Sequence, residues 1–555
     1  MSRRLCFVIA CTLLFVDVLL AQKSQWATSL GDNSGNVEVL FTRRYAQFDD
    51  VLIGGRYDGK ELKLGTFTLK NNGQWDAFFA LMNDQGDVVW ATGFGGGGDD
   101  AVTDAASDAS GNMYLAVTST SLILTIGGFN MPNQGETDAA LVLLSPDFRF
   151  SAVTHIGTGG HDEIHSVVVD DAGNKLIGGQ IIEAQGPRST TVFVRKLGHG
   201  VSTLWERKST GSEVRLSRVT VDAAGNCYAA GSLWGALEVE GGPTLDTGQE
   251  RQGFILKYSA AGEWQRGITD TTFSRINALQ AFDAHVYAAG ERINYYMGWG
   301  WPLADSKILL TKYDATLRTE WTRSCGGSEE MQSMDIVRGM SMDQEGSPYV
   351  SGYFFSRRLD FAGDTLGNIW NLNYYYQQAF VLKYDSAGNE IWSRGFGGAL
   401  NDTGNDVAVI GKDRLFVAGG FESDEIRFDQ HLLTNNATTR EIYVHLRPPR
   451  IGRNIRGFVA LLDGATASVP PPVPLAEAEL YPHPVDEGLR IRVPAFAGRP
   501  AQLRIFSLDG RLLRFEAIPD AGTVHALDVS ALQPGMYILR ITSAHHNLVQ
   551  RFVRQ

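Results

Sequence analysis

Short apolar strands separated by tight turns recur along most of the chain, and no long helical pattern interrupts them. In each copy an apolar strand is followed by a turn, a strand with a Trp, a Gly-rich loop and two further strands. The clearest copy starts at Phe380, carries Trp392 and ends with the strand from Phe416 to Gly420. Alternation of apolar and polar residues between Gly, Asn and Asp is typical of β-strands in hairpins.

The first strand and its Trp keep one spacing in the clearest copies. Looser copies start at Ala140 and at Phe254. A repeat of about 50–75 residues made only of short strands predicts a β-propeller, with one four-stranded blade for each repeat. The copies predict an all-β protein with seven blades, and six or eight blades are the alternatives if the looser copies are counted differently. The regular pairs are Phe78 and Trp90, Phe193 and Trp205, Leu309 and Trp321, and Phe380 and Trp392.

One copy is divided between the two ends of the repeat region. Residues 457–463 have the pattern of the first strand of a repeat, but no second strand follows them. Trp26 begins a second strand that no first strand precedes. We therefore predict that residues 457–463 complete and close the N-terminal blade, which residues 24–57 begin. Such a joint closes a ring and covers the edges that an open sheet would expose.

The residue pattern of the repeat is Tyr-Asp-x-x-Gly-Asn, Trp, Gly-Gly and then Asp-x-x-Gly-Asn-x-Tyr. It resembles the bacterial SBBP-type β-propeller repeat over residues 24–463. The resemblance implies the fold and no particular activity, since propellers carry unrelated functions on one scaffold.

The N-terminal residues 1–21 have the pattern of a signal peptide. Arg3 and Arg4 precede an apolar run that ends near the small residue Ala21, and this pattern predicts cleavage before Gln22. No later stretch reaches the roughly 20 apolar residues of a membrane span, so we expect no transmembrane segment in the mature chain.

The C-terminal part of the chain is predicted to be a separate small β domain. Residues 22–467 would form the propeller, residues 468–474 a stiff Pro-rich linker, and residues 475–555 the second domain. The order and spacing of its motifs resemble the type A C-terminal sorting domain of the type IX secretion system, although His483 stands where that family usually has Asn. The motif residues are Tyr481, Pro482, Pro484, Gly510, Gly535 and Tyr537.

The resemblance to this sorting domain implies an Ig-like β-sandwich and a partner, the type IX secretion machinery, that residues 475–555 would engage. It also implies passage through the periplasm, export across the outer membrane and removal of the domain. The remaining protein would then be attached to the cell surface or released.

Composition agrees with an exported protein and argues against nucleic-acid binding. The formal net charge is −13, and the charges are scattered rather than clustered. Outside the predicted signal peptide only Cys227 and Cys325 remain, each on or beside a strand of a different repeat. We expect two buried thiols; a disulfide, which the compartment would allow, is the alternative.

Antiparallel order places the short, uniform turns on one face of the predicted propeller and the long, variable connections on the other. Two variable connections are rich in aromatic residues, and flat rings beside Asn and Gly suit stacking on sugars or a protein hot spot. The alternative is that the rings pack their own loops. The candidate ligand-binding residues are Tyr295, Tyr296, Trp299, Trp301, Trp370, Tyr374, Tyr375 and Tyr376.

Other polar motifs have simpler explanations. The Asp-x-x-Gly-Asn segments are the residues that a tight turn requires rather than a calcium loop. A basic group could bind an anion or lie solvated in a loop; its members are Arg440, Arg447, Arg450, Arg453 and Arg456. The segment from His161 to His165 could bind a transition metal, but these two His do not share the face that a helix would give them.

No catalytic motif is found, so the sequence predicts no catalytic residue, no resident metal and no cofactor. The favoured hypothesis is a secreted or cell-surface protein that binds a polysaccharide or a protein without catalysis. The alternatives are an extracellular polysaccharide-active enzyme, with carboxylates converging at the central channel, and a structural component of a surface assembly.

Overall fold

The computed structural model describes residues 24–554 with internal gaps. The gaps are 32–34, 46–48, 184–188, 199, 299–300, 327–333, 369, 372–373, 412–413, 437–439, 443–449, 453, 464–478, 482–484, 486–487, 493–500, 508–511, 520–522 and 544–545. Between Ala467 and Ser468 the contacts divide the chain into two compact units. We call residues 20–467 the repeat unit and residues 468–555 the C-terminal unit.

The described residues form strands and turns, without a helix. The first strands of the repeat unit are β1 (Ser24–Leu30), β2 (Val37–Arg44), β3 (Val51–Tyr57), β4 (Glu61–Leu64), β5 (Phe67–Lys70), β6 (Asp76–Met82), β7 (Val88–Phe94), β8 (Asp100–Ser107), β9 (Met113–Ser119), β10 (Ile123–Ile126), β11 (Phe129–Pro132), β12 (Asp138–Leu144), β13 (Phe150–Ile156), β14 (His161–Val169), β15 (Lys175–Ile182), β16 (Thr190–Leu197), β17 (Thr203–Val221), β18 (Cys227–Val239), β19 (Leu245–Tyr258) and β20 (Trp264–Asp270).

The remaining strands of the repeat unit are β21 (Arg275–Phe282), β22 (His285–Gly298), β23 (Trp301–Asp314), β24 (Thr319–Cys325), β25 (Ile336–Met342), β26 (Pro348–Phe354), β27 (Arg358–Phe361), β28 (Asp364–Gly367), β29 (Trp370–Asn371), β30 (Tyr374–Tyr375), β31 (Gln378–Tyr384), β32 (Glu390–Phe396), β33 (Asp402–Ile410), β34 (Arg414–Phe421), β35 (Glu425–Phe428), β36 (His431–Thr434), β37 (Arg440–Ile442), β38 (Arg450–Gly452) and β39 (Arg456–Asp463).

Most sheets of the repeat unit are antiparallel meanders of four strands. Their orders are β2-β3-β6-β7, β8-β9-β12-β13, β21-β22-β23-β24, β25-β26-β31-β32 and β33-β34-β39-β1. Strands β14 to β20 form one seven-stranded sheet, because the 19-residue β17 pairs first with β16 and further along with β18. Small hairpins such as β4–β5 and β10–β11 are inserted between the second and third strands of a meander.

The sheets do not coincide with the repeats that the sequence suggests. The repeat from Phe380 to Gly420 was expected to form one sheet, but β31 and β32 end one sheet whereas β33 and β34 begin the next. The same offset applies at the chain ends. Strand β39 pairs with β1, from Ser24 opposite Leu462 to Leu30 opposite Gly457, whereas β2 and β3 lie in the following sheet.

One strand of each meander lies against its counterparts in the neighbouring sheets. We name β2, β8, β14, β17, β21, β25 and β33 the inner strands. Each inner strand contacts the next one in this order, and β33 contacts β2, so the series is cyclic. Every inner strand has a register shift near its middle, at Leu40, Thr103, His165, Ser217, Asn277, Arg338 and Asn405. Such a bulge bends and twists its strand.

The bulges also connect neighbouring sheets. The side chains of Thr103, Asn277 and Asn405 donate hydrogen bonds to carbonyl oxygens of the next inner strand, at 2.7, 3.0 and 2.8 Å. A residue outside the regular ladder thus supplies a polar link between two sheets that otherwise pack through apolar side chains.

Two Trp side chains pack against turns that lie further along the chain. Trp26 Nε1 donates to Asp84 O at 2.8 Å, and Trp205 Nε1 donates to Ala260 O at 3.0 Å. A Cβ built on Gly86 would lie 2.8 Å from the Trp26 ring, so this positive-φ Gly provides both the turn and the close approach. Trp26 therefore holds two successive sheets together, whereas Trp205 links β17 to the β19–β20 turn within the seven-stranded sheet.

The C-terminal unit contains β40 (Glu479–Tyr481), β41 (Gly488–Arg492), β42 (Ala501–Ser507), β43 (Leu512–Ile518), β44 (His525–Asp528), β45 (Gly535–Ser543) and β46 (His546–Arg554). Its two sheets, β40-β41-β44 and β43-β42-β45-β46, contribute side chains to one buried cluster. Tyr537 stacks on Phe552 within this core and donates its hydroxyl to Gln533 O at 2.6 Å. Of the predicted sorting residues, Tyr481 and Gly535 lie in β40 and β45, and the structure does not describe Pro482, Pro484 or Gly510.

Within the described ranges, no helix is long and apolar enough to cross a membrane.

Candidate functional site

The inner strands enclose a cavity of about 310 Å³, which we call the central channel. Its charged lining residues are Arg43 and Arg44 on β2, Asp104 on β8, Arg218 on β17 and Asp406 on β33. Small residues fill most of the remaining wall, because side chains of inner strands converge there. The channel is therefore polar, and its chemistry depends on how these charges are paired.

Arg43 bridges the two carboxylates of the channel. Its Nη2 lies 2.8 Å from Asp104 Oδ1, and its Nη1 forms an ion pair with Asp406 Oδ2. Burial opposes the charge of Arg43, but the two carboxylates outweigh this effect and its pKa is raised. Asp104 and Asp406 also accept backbone N–H groups of Val167 and Thr42. Both carboxylates are thus fully engaged.

This pairing bears on the polysaccharide-active alternative. Glycoside hydrolysis requires one protonated carboxyl as acid and a second carboxylate free to attack or to activate water. Asp104 and Asp406 instead share one guanidinium and accept N–H groups of neighbouring strands. In this arrangement they stabilise the ring of inner strands and leave neither oxygen pair free for a substrate.

A second buried acid lies beside the inner strands. The Glu291 side chain is fully buried on β22, and its Oε2 accepts a hydrogen bond from Asn277 Nδ2 at 2.7 Å. Burial raises the pKa of Glu291 to about 7, against the opposing effects of Arg275, Asn277 and Arg338. The native state therefore binds this proton more tightly than the unfolded chain does.

We expect this proton to make stability depend on pH. The contribution of Glu291 is fully present below its unfolded pKa of 4.5 and is lost as the pH rises through about 7. The loss should be on the order of 1–3 kcal/mol. Urea unfolding between pH 4.5 and 8 should show a smaller decrease for Glu291→Gln than for the wild type. Glu238→Gln, on the exposed side of β18, is the control; an equal decrease in all three proteins would contradict the assignment.

Two long hairpins carry exposed aromatic side chains. Trp234, on the β18–β19 hairpin, is 43% exposed, and Tyr295, on the β22–β23 hairpin, is 66% exposed. The hairpins are tied together, since Arg292 Nη2 lies 3.6 Å from Glu250 Oε2. The Arg251 guanidinium lies 5.7 Å from the Trp234 ring centre and pairs with Glu213 at 2.7 Å. We call these two hairpins the aromatic hairpins.

The other predicted ligand-binding residues have mixed outcomes. Tyr376 is 1% exposed, so its ring packs inside the protein and is not one of the exposed aromatic side chains. Tyr296 and Trp301 lie in the β22–β23 hairpin, but their side chains are outside the described part. The same holds for Trp370, Tyr374 and Tyr375 of β29 and β30, and Trp299 lies in a gap.

The His161–His165 segment does not bring its ligands together. His161 pairs with Glu136 at 2.5 Å, whereas His165 pairs with Glu163 at 3.2 Å. The bulge between Ile164 and Ser166 interrupts the regular alternation of this strand. Among the described residues, no group of three or more His, Cys, Asp or Glu is arranged to hold a metal ion.

Cys227 and Cys325, the cysteines within the described residues, are free and buried. Burial raises the pKa of the Cys227 thiol to about 12 and that of Cys325 further still, so both stay protonated.

The predicted basic group is only partly described. Arg440 and Arg450 lie in β37 and β38, whereas positions 447 and 453 are in gaps. Arg456 donates to the carbonyl oxygens of Gly31 and Thr434, so its guanidinium serves the joint between the chain ends.

Sequence reasoning missed Trp234 and the ion-paired triad in the channel. Trp234 lies in the second half of β18, as Tyr295 lies in the second half of β22, and this shared position could have identified it. Arg43 is one of two adjacent Arg at the end of a strand whose first part is mostly apolar. Asp104 and Asp406 stand one residue after equivalent bulges, so an alignment of the inner strands would have paired them.

Residues 479–555 match the family model described as "Secretion system C-terminal sorting domain". This match confirms the prediction of a type IX sorting domain. It implies interaction with the secretion machinery and export to the cell surface or the extracellular space. No curated protein matches the chain.

Three solved structures that resemble the chain do so at low sequence identity and low TM-score. The WD40 domain of Neurospora crassa Pan2 shares 9% identity at a TM-score of 0.34, covering 65% of this chain and 88% of that chain. Sqt1 from Chaetomium thermophilum shares 9% identity at a TM-score of 0.38, covering 80% and 100%. An ancestral GH74 enzyme shares 8% identity at a TM-score of 0.22, covering 95% and 85%. Scores of this size carry no functional argument.

Proposed function

We propose that this is an exported, non-catalytic binding protein whose aromatic hairpins bind a polysaccharide. The main support for this proposal is the exposure of Trp234 and Tyr295 on two hairpins that an ion pair links. Exposed aromatic rings offer a large apolar area at low entropic cost, and they suit the flat apolar faces of sugars. The engagement of both channel carboxylates by Arg43 favours binding over hydrolysis.

We further propose that the repeat unit is a seven-bladed β-propeller of SBBP type. The cyclic series of inner strands supports this architecture, if β17 is counted as shared by two blades. We infer an Ig-like sandwich for the C-terminal unit from the common core of its two sheets. The proposed domains are a signal peptide 1–21, a propeller 22–467, a linker 468–474 and a sorting domain 475–555.

Replacing Trp234 and Tyr295 together by Ala should abolish or strongly weaken binding to the polysaccharide. Loss of two central aromatic contacts typically costs more than about 1 kcal/mol each, which corresponds to at least a tenfold weaker dissociation constant. A glycan array with the full chain identifies the ligand, and titration of wild type and variant measures the change.

Leu122→Ala is the matched control, because Leu122 is 87% exposed and lies next to another hairpin, β10–β11. Unchanged affinity in the double variant would contradict the assignment to the aromatic hairpins. Shortened glycan products would replace the binding role by an enzymatic one. Capture of protein partners alone would change the ligand class.

A further inference from the structure

Three gaps between neighbouring sheets share one construction. In each gap, a buried polar residue on the third strand of one sheet faces a buried Asp on the next inner strand, beside a Gly loop. Both residues stand at or next to the beginning of their strands. The facing pairs are Asp76 with Asp100, Asp138 with Asp162, and Gln378 with Asp402.

In two of these gaps, another feature avoids an uncompensated pair of carboxylates. His155 Nε2 lies 2.6 Å from Asp138 Oδ2, so an imidazole accompanies that carboxylate pair. In the third gap the first carboxylate is replaced by the neutral Gln378, whose Nε2 donates to Gly398 O at 3.0 Å. Neither gap therefore holds two carboxylates without a nearby donor group.

The gap between Asp76 and Asp100 has neither a His beside the carboxylates nor a neutral side chain in place of one of them. Gly93 occupies the place of His155, since Gly93 pairs with Phe78 as His155 pairs with Ala140. The Arg56 guanidinium, on the strand across from Asp76, is engaged by Glu38 at 2.7 Å. Burial raises the pKa of Asp76 to about 6, and Asp100 adds to this effect. Two carboxylates thus share a buried gap without a counter-charge among the described residues.

Polar atoms in this gap also lack partners. Asp76 Oδ1 and Tyr57 Oη are both buried without a hydrogen-bond partner in the described part of the chain; Asp138 Oδ1 also lacks one, but the His155 imidazole lies beside that carboxylate. Tyr57 stands directly opposite Asp76 in the β3–β6 ladder. Buried polar groups are nearly always satisfied, so two orphaned oxygens at one place indicate a missing partner.

The oxygens of both carboxylates converge. A Cβ built on Gly95 would lie 2.4 Å from Asp76 Oδ1 and 2.8 Å from Asp100 Oδ2. Asp76 Oδ2 is held by Asn72, at 2.9 Å from its backbone N and 3.1 Å from Nδ2, which leaves Oδ1 directed into the gap. Asp100 Oδ2 accepts from Gly96 N and Ser121 Oγ at 2.7 and 2.8 Å, so its position is fixed.

We propose that a hard divalent cation of the calcium type binds in this gap, on Asp76 Oδ1 and Asp100 Oδ2. Carbonyl oxygens of the Gly loop and water complete the coordination, and Tyr57 Oη holds one of the waters. Calcium accepts six to eight oxygen ligands with flexible geometry, at about 2.3–2.6 Å. With only two carboxylates, the affinity should fall in the range of extracellular calcium modules, about 0.1–1 mM.

Calcium titration of the full chain, first stripped with EGTA, tests the site. We expect one calcium per repeat unit by calorimetry and a rise in the thermal midpoint of the repeat unit, since a ligand of the native state stabilises it. Asp76→Asn should lose both effects. Asp402→Asn should keep them, because its gap is already compensated by Gln378.

Tyr57→Phe provides a milder variant in case Asp76→Asn does not fold; it should weaken calcium affinity several-fold. Terbium, which replaces calcium, should emit through sensitisation by Trp75 and Tyr57 in the wild type, and calcium should displace it. Absence of calcium binding and of terbium emission would overturn the proposal, as would an unchanged calcium response in both variants. Protonation of Asp76 would then be the means of neutralising the gap.

Discussion

Replacing Arg43 by Met should reduce the free energy of unfolding of the repeat unit by about 3–5 kcal/mol. The substitution keeps a similar length but removes the one guanidinium that, in the described part of the chain, pairs with both Asp104 and Asp406. Two buried carboxylates would then face each other across the channel without their partner, and desolvation of unpaired charge is strongly unfavourable. Urea unfolding followed by Trp fluorescence measures the loss.

The cause of this loss can be isolated by pH and by compensating changes. Burial raises the pKa of Asp406, so protonation of this carboxylate should make the destabilisation smaller at pH 4 than at pH 8. Adding Asp104→Asn and Asp406→Asn to the Arg43→Met variant should recover much of the stability. Arg149→Met, which breaks a surface pair at 83% exposure, should change stability by less than about 0.5 kcal/mol. A loss independent of pH, with no recovery, would show that Arg43 acts through packing alone.

Trp392→Ala should cost about 3–5 kcal/mol by leaving a cavity between neighbouring strands. Trp392 is 1% exposed, and its ring meets Tyr349 edge to face at a centroid distance of 5.9 Å. The surrounding strands are part of a rigid sheet, so they can close only part of the space that the indole leaves. The midpoint of urea unfolding should therefore shift strongly.

Trp234→Ala supplies the comparison for this prediction. Trp234 is 43% exposed, and its removal should cost less than about 0.5 kcal/mol. Equal small losses for the two Trp variants would rule out a packing role for Trp392. Equal large losses would show that the aromatic hairpins contribute to the stability of the repeat unit.

The sequence pattern predicted strands, turns and the pairing of the chain ends, but not where one sheet stops. Turns and alternation are local properties, so the hairpin from Phe380 to Phe396 could be predicted from its own residues. Whether β32 hydrogen-bonds to β33 or only packs near it depends on the bulged inner strands and their neighbours. The repeat seen in the sequence therefore crosses from one sheet to the next.

In the candidate sites, too, features that depend on neighbouring residues could be predicted, and features that depend on distant residues could not. The exposure of Tyr295 followed from its place in a long insertion, whereas the burial of Tyr376, six residues after Trp370, depended on packing that no local pattern records. The Arg43 triad joins residues that are 363 positions apart in the case of Asp406. Only the cyclic order of the inner strands brings such residues together.

The pairing of β1 with β39 predicts which sheet of the repeat unit forms last. Ser24 Oγ donates to Phe428 O, 404 positions later, and the pairing of β1 with β39 spans a similar length of chain. Closing so long a loop is entropically costly and slow, so this sheet should be completed last. Until then β39 has an open edge, which is the kind of edge that recruits foreign strands. An exported chain that keeps β1 unfolded would stay in this open state, and a peptide with the sequence of β1 would trap it.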